Sequence, residues 1–207
     1  MQLRNTGWAG TKLSDLTTLG YSTFGTAWNG PGGQMTYLTL YLDLNNNGSY
    51  DDRIHFEPIY SAAGAGNGNL NPQPAPTLGV WQSWNALQGM WYSDQSNPPN
   101  GPGADAITLA AYIAANPTAT IVDAAPGVGG IRITSGFASP DDNFDVNVDA
   151  FKIGTVGGTT TYDFELSAVP EAGAFWLGAI VCSVVGLVYG GRALVRRKTV
   201  ERQETSV

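Results

Sequence analysis

Residues 34–44, QMTYLTLYLDL, alternate without a break. Met35, Tyr37, Thr39, Tyr41 and Asp43 fall on one face, and Leu38, Leu40, Leu42 and Leu44 on the other. Side chains of a strand point alternately to its two faces, so this pattern predicts a β-strand half buried against a core. Residues 45–52 read as a turn and 53–60, RIHFEPIY, as the returning strand of a hairpin. Upstream, 12–25 mixes Thr, Tyr and Phe with polar interruptions and predicts an opening strand, followed by a loop at 29–33, NGPGG. Downstream, 61–77 is rich in Gly, Ala, Asn and Pro and predicts a long surface loop. Residues 78–92, LGVWQSWNALQGMWY, predict a strand running into a second, with another loop at 93–103.

The spacing in 107–116, ITLAAYIAAN, suits a short helix, capped by Asp105 or Thr108 and ended by Pro117. Three further strands are expected at 119–123, 130–137 and 143–153. In the last of these, Phe144, Val146, Val148 and Ala150 alternate with Asp145, Asn147 and Asp149, leaving one face wet. Residues 159–166 follow a Gly157-Gly158 turn and close the set. Seven or eight strands, one short helix and no βαβ alternation predict an all-β domain over 12–166, a β-sandwich of jelly-roll type.

The pattern then changes. Residues 172–191 contain no charge and are apolar on every face of a helix, whereas a soluble amphipathic helix keeps a polar stripe. Twenty residues at about 1.5 Å each match the hydrocarbon thickness of a bilayer, so a single transmembrane helix is expected. Trp176 and Tyr189 lie near its two ends, at headgroup level. Arg192, Arg196, Arg197 and Lys198 follow it, which places the tail 192–207 in the cytoplasm and residues 1–171 outside.

Val169-Pro170-Glu171, an apolar span and then Arg196, Arg197 and Lys198 together resemble the PEP-CTERM sorting signal of bacterial exosortase substrates. Two features differ: Ala172 stands where a second proline usually falls, and nine residues follow Lys198. The resemblance implies recognition of the tail by an exosortase, cleavage near the short motif at 167–171, and delivery to the cell surface or extracellular matrix. The sandwich also resembles a domain recurring on secreted proteins with such tails. That likeness rests on the KLSD opening at 12–15, Phe56-Glu57-Pro58, the Trp-rich segment, and TTYDFE at 160–165. It implies no activity.

Charge divides unequally along the chain. Residues 1–171 carry 15 acidic and 5 basic side chains, net −10, and 172–207 carry 2 and 5, net +3, which sum to the whole chain's −7. An acidic exterior argues against a nucleic-acid partner. The 27 glycines, 12 prolines and only 13% charged residues favour a turn-rich β protein. The one cysteine, Cys182, lies in the apolar span, so no intramolecular disulfide forms. Residues 1–13 have no apolar leader core, and a signal peptide lost from upstream is expected.

Candidate chemistry is sparse. The sole histidine, His55, shares a strand face with Glu57, read as a wet face and an ordinary strand histidine. No G-x-S-x-G nucleophile motif is present, and zinc sites needing several His or Cys are excluded. Clustered acids at Asp51, Asp52 and Glu57, and at Asp141, Asp142 and Asp145, leave a glycosidase pair open but unplaced. In 43–51, DLNNNGSYD, Asp43, Asn45, Asn47 and Asp51 take relative positions 1, 3, 5 and 9 of a calcium loop, with Gly48 at 6. Position 12 is Ile54 rather than Glu, and a plain hairpin turn explains the same residues. Asn47-Gly48-Ser49 also forms a glycosylation sequon, which implies surface exposure. Trp81, Trp84, Trp91 and Tyr92 are either a sugar-stacking platform or core filler. The sequence therefore points to a non-enzymatic surface or matrix protein held by a membrane helix, with a carbohydrate-binding surface module as the alternative.

Overall fold

Leu38, Leu40 and Leu42 of the alternating segment are completely buried, Leu44 partly so, and they form one wall of a sandwich. The computed structural model describes residues 2–28, 35–95, 101–124, 127–135 and 144–164. The strands are β1 (Gln2–Asn5), β2 (Leu16–Trp28), β3 (Tyr37–Asp43), β4 (Asp52–Phe56), β5 (Trp81–Asn85) and β6 (Met90–Ser93). They continue with β7 (Ile107–Thr108), β8 (Thr120–Ile121), β9 (Ile131–Thr134), β10 (Phe144–Thr155) and β11 (Gly158–Tyr162). Two short helices, α1 (Pro58–Ser61) and α2 (Leu109–Ala115), accompany them.

The strands form two antiparallel sheets packed as a sandwich. The larger runs β1-β9-β3-β4-β6-β7, with β8 also on β3, and the smaller runs β11-β10-β2-β5. Leu38, Leu40 and Leu42 of β3, Ile54 and Phe56 of β4, and Trp91 of β6 meet Leu19 and Tyr21 of β2, Trp84 of β5, and Phe151 and Ile153 of β10. All are nearly or fully inaccessible, and burying each large apolar side chain contributes about 1.5–3 kcal/mol.

The β3–β4 hairpin has the expected register, with Leu38 opposite Phe56, Thr39 opposite His55 and Tyr41 opposite Arg53. β4 ends at Phe56, before the predicted Tyr60, because Pro58 lacks an N–H for a ladder and opens α1 instead. The opening strand begins at Leu16, after a 3-10 turn at Leu13–Asp15 that buries Leu13. β1 was not expected as a strand; it pairs with β9 and adds a strand to one end of the larger sheet.

The Trp-rich segment does hold two strands, but they lie in opposite sheets. A 3-10 turn at Ala86–Gln88, capped by Asn85, carries the chain across. Gly89 then passes so close to Phe56 that a Cβ would fall within contact of the ring, which explains glycine at this crossing. Thr108, not Asp105, caps α2, its hydroxyl accepting from Ala111 N at 3.1 Å.

β10 departs from simple alternation. Phe144, Val146 and Val148 keep one parity, but the buried Phe151 and Ile153 have the other. A register shift between Asp149 and Lys152 separates the two halves, and Ala150 there has φ +50°. The extra residue of a β-bulge reverses the facing of everything beyond it. Ala150 therefore belongs to a bulge and not to the apolar stripe.

Among the described residues no helix is long and apolar enough to cross a membrane. The expected span 172–191, the motif Val169-Pro170-Glu171, and Arg196, Arg197 and Lys198 all lie outside the described residues, as do Asp141 and Asp142.

Candidate functional site

The face of β3 and β4 turned away from the core carries Tyr37, Thr39 and Tyr41 beside Arg53 and His55, with Glu57 continuing that side just past β4. Register extends this row in both directions. Thr39 lies opposite Arg132 of β9, and His55 opposite Tyr92 of β6. With Tyr60 from α1 and Asp94 after β6, these residues line a cleft of about 570 Å³. The predicted wet face is therefore a lined recess: His55 is 5% exposed and Glu57 8%. Alternation fixes which way a side chain points but not which neighbouring elements stand beside it.

Asp94 is the electrostatic centre of one side. Its Oδ1 lies 3.1 Å from His55 Nε2, and its Oδ2 accepts from Arg53 Nε at 2.6 Å and from the second guanidinium nitrogen. Burial opposes ionisation of Asp94, but His55 and Arg53 outweigh it and hold its pKa below the ordinary value. Burial also lowers the His55 pKa, with Asp94 acting in the other direction, so the imidazole is neutral near pH 7. Its Nδ1 lies 2.9 Å from Thr39 Oγ1. With Nε2–H donated to Asp94, Nδ1 accepts from the threonine hydroxyl.

Hydroxyl, imidazole and carboxylate thus stand in a line, as a hydrolase would require. Thr39 is 3% exposed, in the middle of a strand paired on both edges, with β4 and with β9. Backbone N–H groups committed to two ladders cannot form an oxyanion hole beside it. The relay links Thr39 of β3 through His55 of β4 to Asp94 just after β6.

The other side of the cleft is built around Glu57. Tyr92 donates its hydroxyl to Glu57 Oε1. Burial raises the Glu57 pKa, partly offset by that hydrogen bond. Burial and the nearby Glu57 charge raise the Tyr60 and Tyr92 pKa values as well. At the β9 end, Arg132 lies 4.2 Å from the Tyr41 ring centroid and donates to the carbonyls of Gly129 and Gly127.

The other expected site residues divide. Asp43 organises its turn: Oδ1 accepts from Asn45 N at 3.0 Å and Asn47 N at 3.3 Å, and Oδ2 from Gly48 N at 2.6 Å. Burial works against the carboxylate, but these N–H groups outweigh it and lower the Asp43 pKa. Asn45 and Asn47 accept from Asn47 N and Ser49 N, and Asp51 accepts from Leu44 N. Gly48, at φ +81°, supplies the left-handed residue the turn needs. These side chains serve the loop's own backbone, and among the described residues no three His, Cys, Asp or Glu side chains gather into a cluster that could hold a metal ion.

The aromatic platform does not assemble. Trp84 and Trp91 are core residues, donating their indole N–H to Thr23 Oγ1 and to the carbonyl of Ala86, both at 2.8 Å. Trp81 is exposed and packs at a tilt against Phe24 of the smaller sheet, while Tyr92 lines the cleft. A bulky ring finds its lowest free energy where both area and N–H are satisfied inside. The acid cluster separates too. Asp52 points into the core, Glu57 into the cleft, and Asp51 to the turn, so they cannot flank one glycosidic bond.

Sequence reasoning missed Asp94 from the loop after β6, Arg132 from the distant strand β9, and Tyr60, which α1 turns toward the cleft where a continuing strand had been expected. The usable signal was the matched spacing of Tyr37-Thr39-Tyr41 and Arg53-His55-Glu57 on paired strands. Comparison with family models, curated proteins and solved structures finds no match to this chain.

Proposed function

We propose that this chain is a non-enzymatic surface or matrix protein whose sandwich binds saccharide in the β3–β4–β6 cleft. The observation that carries the reading is the cleft's composition. Half-exposed Tyr37, Tyr60 and Tyr92 offer aromatic faces for sugar rings, and Arg53, Asp94 and Glu57 offer fixed polar groups for hydroxyls. Its volume, about 570 Å³, is within the range of small-ligand pockets. His55 held between Thr39 and Asp94 supports a rigid binding floor rather than proton transfer.

Display follows from the tail. The uncharged run 172–191 and the basic cluster after it support a single membrane helix with the sandwich outside. The resemblance to a PEP-CTERM signal supports sorting and cleavage by an exosortase near Pro170-Glu171. The chain's passage between sheets at β1–β2, β2–β3, β4–β5, β5–β6 and β9–β10 supports the jelly-roll description of the sandwich.

Two measurements test this. On a glycan array, full-length protein in mild detergent is expected to bind a saccharide set, with signal falling at least tenfold in Tyr60→Ala; an empty array removes the saccharide role. On cell fractionation, the unprocessed chain is expected in membranes until detergent releases it. Recovery of that chain, C-terminus intact, from the soluble fraction removes the anchor.

A further inference from the structure

We propose that the Glu57 end of the cleft receives the ammonium group of an unacetylated amino sugar. The inference rests on the saccharide reading above and names the class of sugar. It begins with an accounting of charge. Arg53 and His55 are both committed to Asp94, Arg132 is held by the carbonyls of Gly129 and Gly127 and by the Tyr41 ring, and Arg4 pairs with Asp123. Glu57, although 8% exposed, has no cationic partner among the described residues. A buried carboxylate without a counter-charge costs free energy, and ordinary folds supply one. Tyr92 satisfies one oxygen. The described residues give the second oxygen no hydrogen bond.

The surroundings select the kind of cation. Tyr60 and Tyr92 meet edge to face at 5.9 Å, His55 lies 5.1 Å from Tyr92, and Tyr37 lies 5.5 Å from His55. Electron-rich ring faces around a carboxylate attract an organic ammonium. A calcium ion needs six to eight oxygens, and of the cleft's two carboxylates Asp94 is already paired with Arg53. An anionic sugar would meet Glu57 directly and be repelled. A neutral hydroxyl would satisfy the free oxygen but return none of the Coulomb energy.

Acidity adds a signature. Glu57 shares the cleft with Tyr37 and Tyr41 from β3, Arg53 and His55 from β4, Tyr60 from α1, Tyr92 from β6, Asp94 just after β6 and Arg132 from β9, and Tyr21 of β2 senses its charge from the core. Because burial raises its pKa, the cation-binding form of Glu57 is gained as pH rises through that raised value. Protonation of His55 at low pH acts in the same direction, by adding positive charge. Ammonium affinity should therefore strengthen from acid toward neutral pH.

Isothermal titration of full-length protein in mild detergent decides the matter. A glucosamine tetramer is expected to bind at least tenfold more tightly than its N-acetylated counterpart. Glu57→Gln keeps an acceptor for Tyr92 and is expected to erase that preference while retaining the acetylated tetramer. Equal affinities in the parent, or a preference that survives in Glu57→Gln, overturn the proposal. If neither tetramer binds, the saccharide reading has failed, and methylammonium chloride then tests the ammonium site alone through the NMR signal of His55. A saturable shift in the parent that is absent in Glu57→Gln upholds the site, and no shift overturns it. Should Glu57→Gln not fold, Tyr60→Leu replaces it, with at least a fivefold loss of the preference expected and an unchanged preference counting against the cage.

Discussion

Tyr112 donates its phenol to Asp52 Oδ2 at 2.6 Å, inside the core and 60 residues away along the chain. Ser93 occupies the other oxygen at 2.7 Å, together with the backbone N–H of Arg53. One buried carboxylate thereby ties α2 to β4 and β6. Burial and the carboxylate both push the Tyr112 pKa up, so the phenol remains a donor throughout the accessible pH range.

That arrangement makes Tyr112→Phe costly. The ring still packs, but Asp52 loses a donor where water cannot replace it. A loss of about 1–3 kcal/mol is expected from urea unfolding. Asp52→Ala should cost more, about 3–5 kcal/mol, because two hydroxyl donors are orphaned and a cavity is opened. Unchanged midpoints in both variants would separate the network from stability.

His55, as the sole histidine, gives an unambiguous titration by NMR. Its pKa is expected below 6.5, since burial outweighs the attraction of Asp94. Asp94→Asn should lower it further. The linkage has a definite sign: the folded protein binds this proton less readily than the unfolded chain. The His55 contribution is therefore complete above the unfolded pKa and is lost as pH falls from about 6.5 toward the folded value. A titration at or above 6.5 contradicts the burial described.

Ala150 sits at φ +50° in the β10 bulge, a region that costs a non-glycine residue about 1–2 kcal/mol. Glycine loses roughly 0.5–1 kcal/mol more chain entropy on folding. The balance favours Ala150→Gly by about 0.5–1 kcal/mol, measured by urea unfolding. Ala150→Val should destabilise, its branched side chain being poorly suited to positive φ.

Asp43 holds three backbone N–H groups of its turn. Asp43→Ala is expected to cost about 1–3 kcal/mol by orphaning them, and to cost the same in chelator as in millimolar calcium. Thermal unfolding in both buffers checks this. A calcium-dependent rise in the parent that vanishes in Asp43→Ala would make the turn an ion site instead.

The chain's own pattern marked out most of the strands, the β3–β4 hairpin, a short helix before Pro117 and the mostly β class, because alternation and helix-stop signals are written in adjacent residues. It is also the whole basis for reading 172–191 as a membrane span, since length and the absence of charge suffice for that inference. Tertiary structure decided the rest. Trp84 and Trp91 were indistinguishable from surface aromatics until the opposite sheet covered them. The reversal in β10 needed the bulge at Ala150 to give it a cause. The cleft required Asp94 and Arg132, residues from a loop and a distant strand, to arrive beside His55 and Tyr41. A periodic sequence specifies the direction of each side chain, but the partner that meets it is chosen by sheet order, which depends on pairings across the full length of the domain.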